Sequence, residues 1–137
     1  MNEKTTTPVS LDSFSSAETK MPMPLIHPKT GDVIATEAGA DMVITLYGKD
    51  SDVYRKAQRT ITNRRLSKKT NATLTAERLE AEANEVLAHC TDSWNIVYEG
   101  EEIDCNFTNA KKVYTNLPWV KEQVDEFVAE RSNFLGS

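Results

Sequence analysis

The feature that most constrains this fold is an amphipathic helix pattern in the last third of the chain, residues 107–135. Apolar residues recur there at three- and four-residue steps, with lysines and acidic residues between them. Asn116 can cap the N-terminus of this helix, Pro118 suits its first turn, and Gly136 suits its C-terminal end. Because a helix of this length is marginal alone, its stripe must dock on this chain or on another protein. The stripe consists of Val120, Val124, Phe127 and Val128.

The rest of the chain alternates between short strand patterns and helix patterns. Apolar pairs at 25–26 and 33–34 flank a Pro- and Gly-containing turn, and residues 42–47 suit a strand that is partly covered on both faces. Pro22 and Pro24 predict that the first strand lies at a sheet edge. A hairpin is predicted around Gly100. Three further helices are predicted: one begins at about Asp52, one follows a Thr75 cap, and a short one begins near residue 108. The predicted fold class is α+β: small antiparallel β-hairpins with about four α-helices, and a helix-rich C-terminal half.

The predicted domain organisation is a flexible N-terminal arm, residues 1–20, followed by a single domain, residues 21–137. The arm is rich in Thr and Ser and holds too few apolar side chains to offset the entropy of ordering. Leu11 and Phe14 either pin the arm to a partner or are stray apolar residues. Since no run resembles a membrane span or a secretion signal, we expect a cytosolic protein with no membrane partner, whose Cys90 and Cys105 are reduced thiols.

Charge is distributed unevenly along the chain. The net charge is -5, yet residues 51–69 contain seven Lys or Arg against Asp52 alone. Such a segment can contact nucleic acid, but a solvated helix face is the commoner explanation and the one we favour, since no aromatic residues interleave with the cations. The residues considered for a basic contact are Arg55, Lys56, Arg59, Arg64 and Arg65.

Motifs that carry chemistry were sought and none was found. His27 and His89 have no partners at metal-ligand spacing, and the glutamates around Gly100 are explained by a solvated hairpin tip. The glycine-rich phosphate and dinucleotide motifs, the nucleophile elbow and the zinc-protease helix motif are missing from the sequence. The sequence therefore predicts a binding protein that is not an enzyme and uses no metal or cofactor.

Several segments, taken in order, resemble a known family. They are PLIHPKTGD from Pro24, GKDSDVYRKAQRTITNRR from Gly48, LTAERLEAEANEVLAHCTDSW from Leu74, and NIVYEGEEIDCNFTNAKKVYTNLPWVKEQVDEFVAERSNFL from Asn95 to the C-terminal region. Together, over residues 24–135, they resemble the tail assembly chaperones of long-tailed bacteriophages and prophages. The order of the segments carries the resemblance, because each segment alone is weakly specific.

The resemblance implies a non-catalytic role in viral assembly in the host cytoplasm. Proteins similar to this chain coat the tape measure protein, help recruit tail tube protein and are then displaced. We therefore expect this protein to be absent from the mature virion. Self-association of the protein is a further expectation. The alternatives are a minor structural protein of the phage tail and a nucleic-acid-binding regulator using the basic segment. For Val120, Val124 and Val128 a core position stays equally open. The predicted partner-binding residues are Trp119, Val120, Val124, Phe127, Val128, Phe134 and Leu135.

Overall fold

The structure, a computed structural model, describes residues 10–15, 18–67 and 74–135. Within these ranges lie four α-helices and two small antiparallel sheets, which confirms the α+β class. Two 3-10 helices, Leu11–Phe14 and Arg131–Phe134, flank them. The order along the chain is β1 (Lys20–Pro24), β2 (Val43–Tyr47), α1 (Asp52–Ser67), α2 (Ala76–His89), β3 (Thr91–Trp94), β4 (Val97–Tyr98), β5 (Glu101–Glu102), α3 (Phe107–Asn116) and α4 (Pro118–Ala129).

The three-stranded sheet has the order β1-β2-β3, so β1 is an edge strand, as its prolines predict. Met23 pairs with Ile44, and Ile44 pairs with Trp94, which places these side chains on the face that packs against the helices. The hairpin expected at 25–26 and 33–34 is reduced to a single bridge between Ile26 and Val33. The hairpin around Gly100 is confirmed as the two-residue connection between β4 and β5.

Helices α1 and α2 form a pair held by a small apolar cluster of Ala57, Ile61 and Val86. The α1 N-terminus is capped by the Ser51 hydroxyl, which accepts from the Tyr54 N–H at 3.1 Å. Thr75 caps α2 as predicted, accepting from the Arg78 N–H at 3.1 Å. Burial of the apolar cluster holds the two helices together, and the charges lie beside it.

One prediction about α2 was wrong. The helical spacing of the apolar residues in this segment of the sequence predicts that Glu82 lies away from the apolar face of α2, yet Glu82 is only 7% exposed. Its carboxylate accepts hydrogen bonds from the Arg65 guanidinium and lies 3.5 Å from Arg78 Nε. The two guanidinium groups supply the partners that a buried carboxylate needs, and Arg65 in particular lowers the pKa of Glu82.

This lowered pKa predicts acid sensitivity. A depressed pKa contributes stability above the ordinary pKa of a glutamate, and that stability is lost as the pH falls through the folded-state value. We expect Glu82→Gln to lower the free energy of unfolding at about pH 7 and to make it less dependent on pH below about 5. Urea unfolding of both proteins at a series of pH values measures this. If the free energy of unfolding changed with pH in the same way for both proteins, the Arg65–Glu82 pair would contribute nothing to stability.

Helices α3 and α4 differ from the predicted pattern at their ends. Asn106, not Thr108 or Asn109, caps α3 and accepts from the Asn109 N–H at 2.8 Å. The predicted Asn116 cap of α4 is wrong, since the Asn116 amide donates to the Tyr98 hydroxyl at 2.9 Å and Leu117 precedes α4 without a side-chain cap. The last helix ends at Ala129 instead of continuing to residue 135, because the chain becomes extended at Glu130 and then forms the second 3-10 helix.

Much of the predicted flexible arm, residues 1–20, lies outside the described residues. Its described part includes the 3-10 helix Leu11–Phe14, in which Leu11 and Phe14 are exposed. Lys20, assigned to the arm, already belongs to β1. In the described ranges, no helix is both long enough and apolar enough to cross a lipid bilayer.

Candidate protein-binding groove

The structure divides the seven predicted partner-binding residues into two groups. Val120, Val124 and Val128 are at most 2% exposed and belong to the main core, with Ile44 and Tyr114. Helix α4 therefore docks its stripe on the inner face of the sheet and on α3. For these three valines the core alternative is the correct one, and they are not available to a partner in this conformation.

Phe134 is a further correction, because its side chain is 1% exposed instead of free for a partner. The 3-10 helix turns it back onto β2, where its ring lies so close to Gly48 that a Cβ at this glycine would be 2.6 Å from the ring. The Phe127 ring meets it edge-on at a centroid distance of 5.4 Å. Gly48, the residue after β2, is the sequence signal for this contact, because a side chain at that position would clash with the ring.

The remaining three predicted residues, Trp119, Phe127 and Leu135, are partly exposed and do not form one patch. Trp119 lines a small cavity of about 170 Å³ together with Leu25 and Tyr98. Phe127 lines a larger groove nearer the C-terminal end of α4, about two turns along the helix from Trp119. Leu135 follows the second 3-10 helix. Of the predicted set, Phe127 alone thus contributes to the main groove.

This groove, of about 760 Å³, runs between the edge strand β1 and the segment formed by α4 and the following 3-10 helix. Its surface is mainly apolar, and polar side chains stand at its rim. A concave apolar surface of this kind suits capture of apolar side chains from a partner. Its lining residues are Met23, Pro24, Ile26, Gln123, Glu126, Phe127, Ala129, Glu130 and Asn133.

The β1 side of the groove offers little for strand addition. The Gln123 amide bonds both backbone groups of Ile26, accepting from its N–H at 2.9 Å and donating to its C=O at 2.8 Å. Pro22 and Pro24 alternate with Ile26 along the same edge and carry no N–H. An incoming strand would find backbone acceptors but no free backbone donor over this stretch, so a complete strand ladder cannot form there and side chains must supply most of the contact with a partner.

The α4 side of the groove is rigidly attached. The Asn133 amide donates to the Phe127 carbonyl at 3.1 Å, and the Lys49 N–H donates to the Val128 carbonyl at 3.0 Å. Arg131 forms an ion pair with Asp50, which lowers the pKa of that carboxyl group. These bonds tie the end of α4 to the loop after β2, so the groove is formed before any partner arrives.

The rim of the groove is acidic. Glu126 and Glu130 are exposed, and neither forms an ion pair within the described residues. The Ser132 hydroxyl donates to the Glu130 carboxylate at 2.8 Å and lowers its pKa, so this carboxylate is ionised at neutral pH. Lysine and arginine do not occur among the lining residues.

Only three of the five residues of the predicted basic contact are exposed on α1 without an ion pair to α2. Arg64 pairs with Glu85 at 2.9 Å, and Arg65 pairs with Glu82, so both point toward α2 instead of joining an open basic surface. Arg55, Lys56 and Arg59 are exposed on α1, and Arg55 donates to the Asp50 carbonyl. Of the predicted basic contact, a phosphate-binding surface could therefore use only these three cations.

Reactive groups are few in the described ranges. Cys90 and Cys105 are free thiols, and burial raises the pKa of Cys90 to about 12, so this thiol is protonated at neutral pH and is not a nucleophile. Burial also raises the pKa of Tyr114, whose hydroxyl lies 2.7 Å from Thr91 Oγ1 inside the fold. These ranges contain no group of three or more His, Cys, Asp or Glu side chains that could hold a metal ion.

Comparison of the chain with protein-family models, with curated proteins and with solved structures gave no match.

Proposed function

We propose that this chain is a non-catalytic tail assembly chaperone of a long-tailed bacteriophage or prophage. In this proposal it binds apolar helical segments of the tape measure protein in the host cytoplasm, assists addition of tail tube protein, and is absent from the finished particle. The groove between β1 and α4 is the structural observation that carries the proposal, since it offers a mainly apolar concave surface of about 760 Å³ to a partner.

The geometry favours a helical partner. The β1 edge lacks free backbone donors and so disfavours strand addition, whereas a groove with an apolar floor can accept the apolar face of an amphipathic helix. Each such contact is small, so a long partner would be held by many copies, each of which is displaced easily. This is the behaviour that a temporary coat on a long helical protein requires.

Nucleic-acid binding is the weaker candidate because the α1–α2 ion pairs use Arg64 and Arg65. No feature of the described chain favours a permanent structural role in the tail over a temporary one. Mass spectrometry of purified particles separates the two roles, since a chaperone is absent from particles and a structural component remains.

The central test is co-expression with the candidate tape measure protein. We expect the chain to keep that protein soluble, and we expect Ala129→Arg to abolish the effect, because Ala129 is an exposed lining residue and the added side chain would fill the groove. The measurement is the soluble fraction of the tape measure protein.

Ala81→Arg is the matched control, since Ala81 is an exposed helical alanine on α2 outside the groove. It should behave like the unchanged chain. A tape measure protein whose solubility is the same with and without the chain would overturn the proposed function. Equal loss with both variants would show that the groove is not the binding surface.

A further inference from the structure

The rim of the groove carries a charge pattern that the apolar floor does not explain. Glu126 and Glu130 lie four residues apart around the end of α4, so they are separated by about 6 Å along the helix axis. Both side chains are solvent-exposed, and neither forms an ion pair in the described chain, although Lys49 and Arg131 lie near enough to help lower the pKa of Glu130. On the opposite side of the groove, β1 presents proline and methionine, which carry no charge. The charged side chains that line the groove are therefore both acidic and both on the α4 wall.

We propose that the groove selects amphipathic helices in which one side of the apolar stripe is bordered by Lys or Arg at a four-residue spacing. This inference rests on the proposed function and specifies the partner segments that the groove accepts. Cations spaced four residues apart on the partner would face Glu126 and Glu130 in register, since both helices rise by the same amount per residue. Acidic residues beside the apolar stripe of a partner helix would be repelled by Glu126 and Glu130. The acidic wall of the groove therefore gives specificity, while its apolar floor gives affinity.

Two segments of this chain itself, considered as occupants of the groove, fit it poorly. The exposed 3-10 helix Leu11–Phe14 carries Asp12 between its apolar residues, which would bring a third carboxylate toward the rim. The exposed side of α1 in a second copy carries cations, but it presents Leu66 as its single exposed large apolar residue, because Ala57 and Ile61 are buried against α2. A basic-flanked helix from another protein satisfies both the floor and the wall.

The test uses two labelled synthetic helices of about 15 residues with the same leucine stripe. One carries lysines at a four-residue spacing along one side of the stripe, and the other carries glutamates at those positions. We expect the full chain to bind the lysine peptide at least about ten-fold more tightly than the glutamate peptide at low salt, and we expect this ratio to shrink at high salt. Fluorescence polarisation measures both affinities.

Charge reversal at the rim supplies the decisive comparison. Glu126→Lys combined with Glu130→Lys should invert the preference, because the wall then attracts the glutamate peptide. The matched control is Glu37→Lys combined with Glu80→Lys, which makes the same charge change at exposed positions outside the groove and should keep the lysine preference.

The outcomes separate this inference from the proposed function. Equal affinity of the unchanged chain for the two peptides, or no binding of either, overturns the charge selection even if co-expression keeps the tape measure protein soluble. Lysine preference that survives the rim reversal also overturns it. If the preference inverts but the tape measure protein stays insoluble, the groove selects basic-flanked helices and the proposed function is wrong.

Discussion

Replacing Phe134 by alanine is expected to lower the free energy of unfolding by about 3–5 kcal/mol, the usual cost of truncating a buried phenylalanine. The ring is 1% exposed and packs against Gly48 and Phe127, so its removal leaves a cavity between β2 and the end of α4. The Arg131–Asp50 pair is exposed and cannot hold the 3-10 helix in place by itself. Urea unfolding followed by tryptophan fluorescence gives the free energy.

Leu135→Ala is the matched control, since Leu135 is the next residue and is partly exposed. It should cost clearly less than Phe134→Ala. Equal and small effects of the two substitutions would mean that Phe134 does not form part of the core in solution. In that case the original expectation of an available partner contact would be restored.

The 3.6-residue period of α4 identified the helix and its stripe, but it could not decide what covers the stripe. The period reports that Val120, Val124 and Val128 share a face, and a face buried in the monomer has the same pattern as one buried against a partner. The prediction that Phe134 is available to a partner was wrong for a different reason. The prediction continued the helix to residue 135, whereas extended backbone at Glu130 turns the chain and sends the ring inward.

The groove could not be predicted from the sequence, because its two walls come from distant parts of the chain. The Gln123 amide and the Ile26 backbone, which bond each other beside the groove, are 97 residues apart. Neither segment carries a local motif for this contact. The only sequence signal was the pair of prolines in β1, which predicts an edge strand but not the element that covers the edge.

Local signals decided some elements and not others. Thr75 caps α2, and the hairpin around Gly100 forms, because each depends on a few neighbouring residues. Asn116 does not cap α4, because its amide donates to the Tyr98 hydroxyl, a contact 18 residues away in the sequence. Glu82 was likewise misplaced because its burial depends on Arg65, which reaches it from another helix.

The second large effect is expected for Val124→Asp, which tests whether the stripe is core. Val124 is fully buried, and an aspartate there would place an unpaired carboxylate among apolar side chains of the sheet, α3 and α4. An uncompensated buried charge costs about 3–5 kcal/mol or more, a large part of the stability of a domain of this size. We expect the variant to lose most of its cooperative unfolding transition, measured by circular dichroism during heating.

Val33→Asp is the matched control, because it makes the same chemical change at a valine that is 40% exposed. Surface substitutions of this kind usually change stability by about 0.5 kcal/mol, so this variant should melt close to the unchanged chain. If Val124→Asp also melted normally and merely failed to solubilise the tape measure protein, the stripe would be a partner surface. Unfolding of Val124→Asp with a normal Val33→Asp leaves the groove beside Phe127, and not the three buried valines of the stripe, as the proposed partner surface on α4.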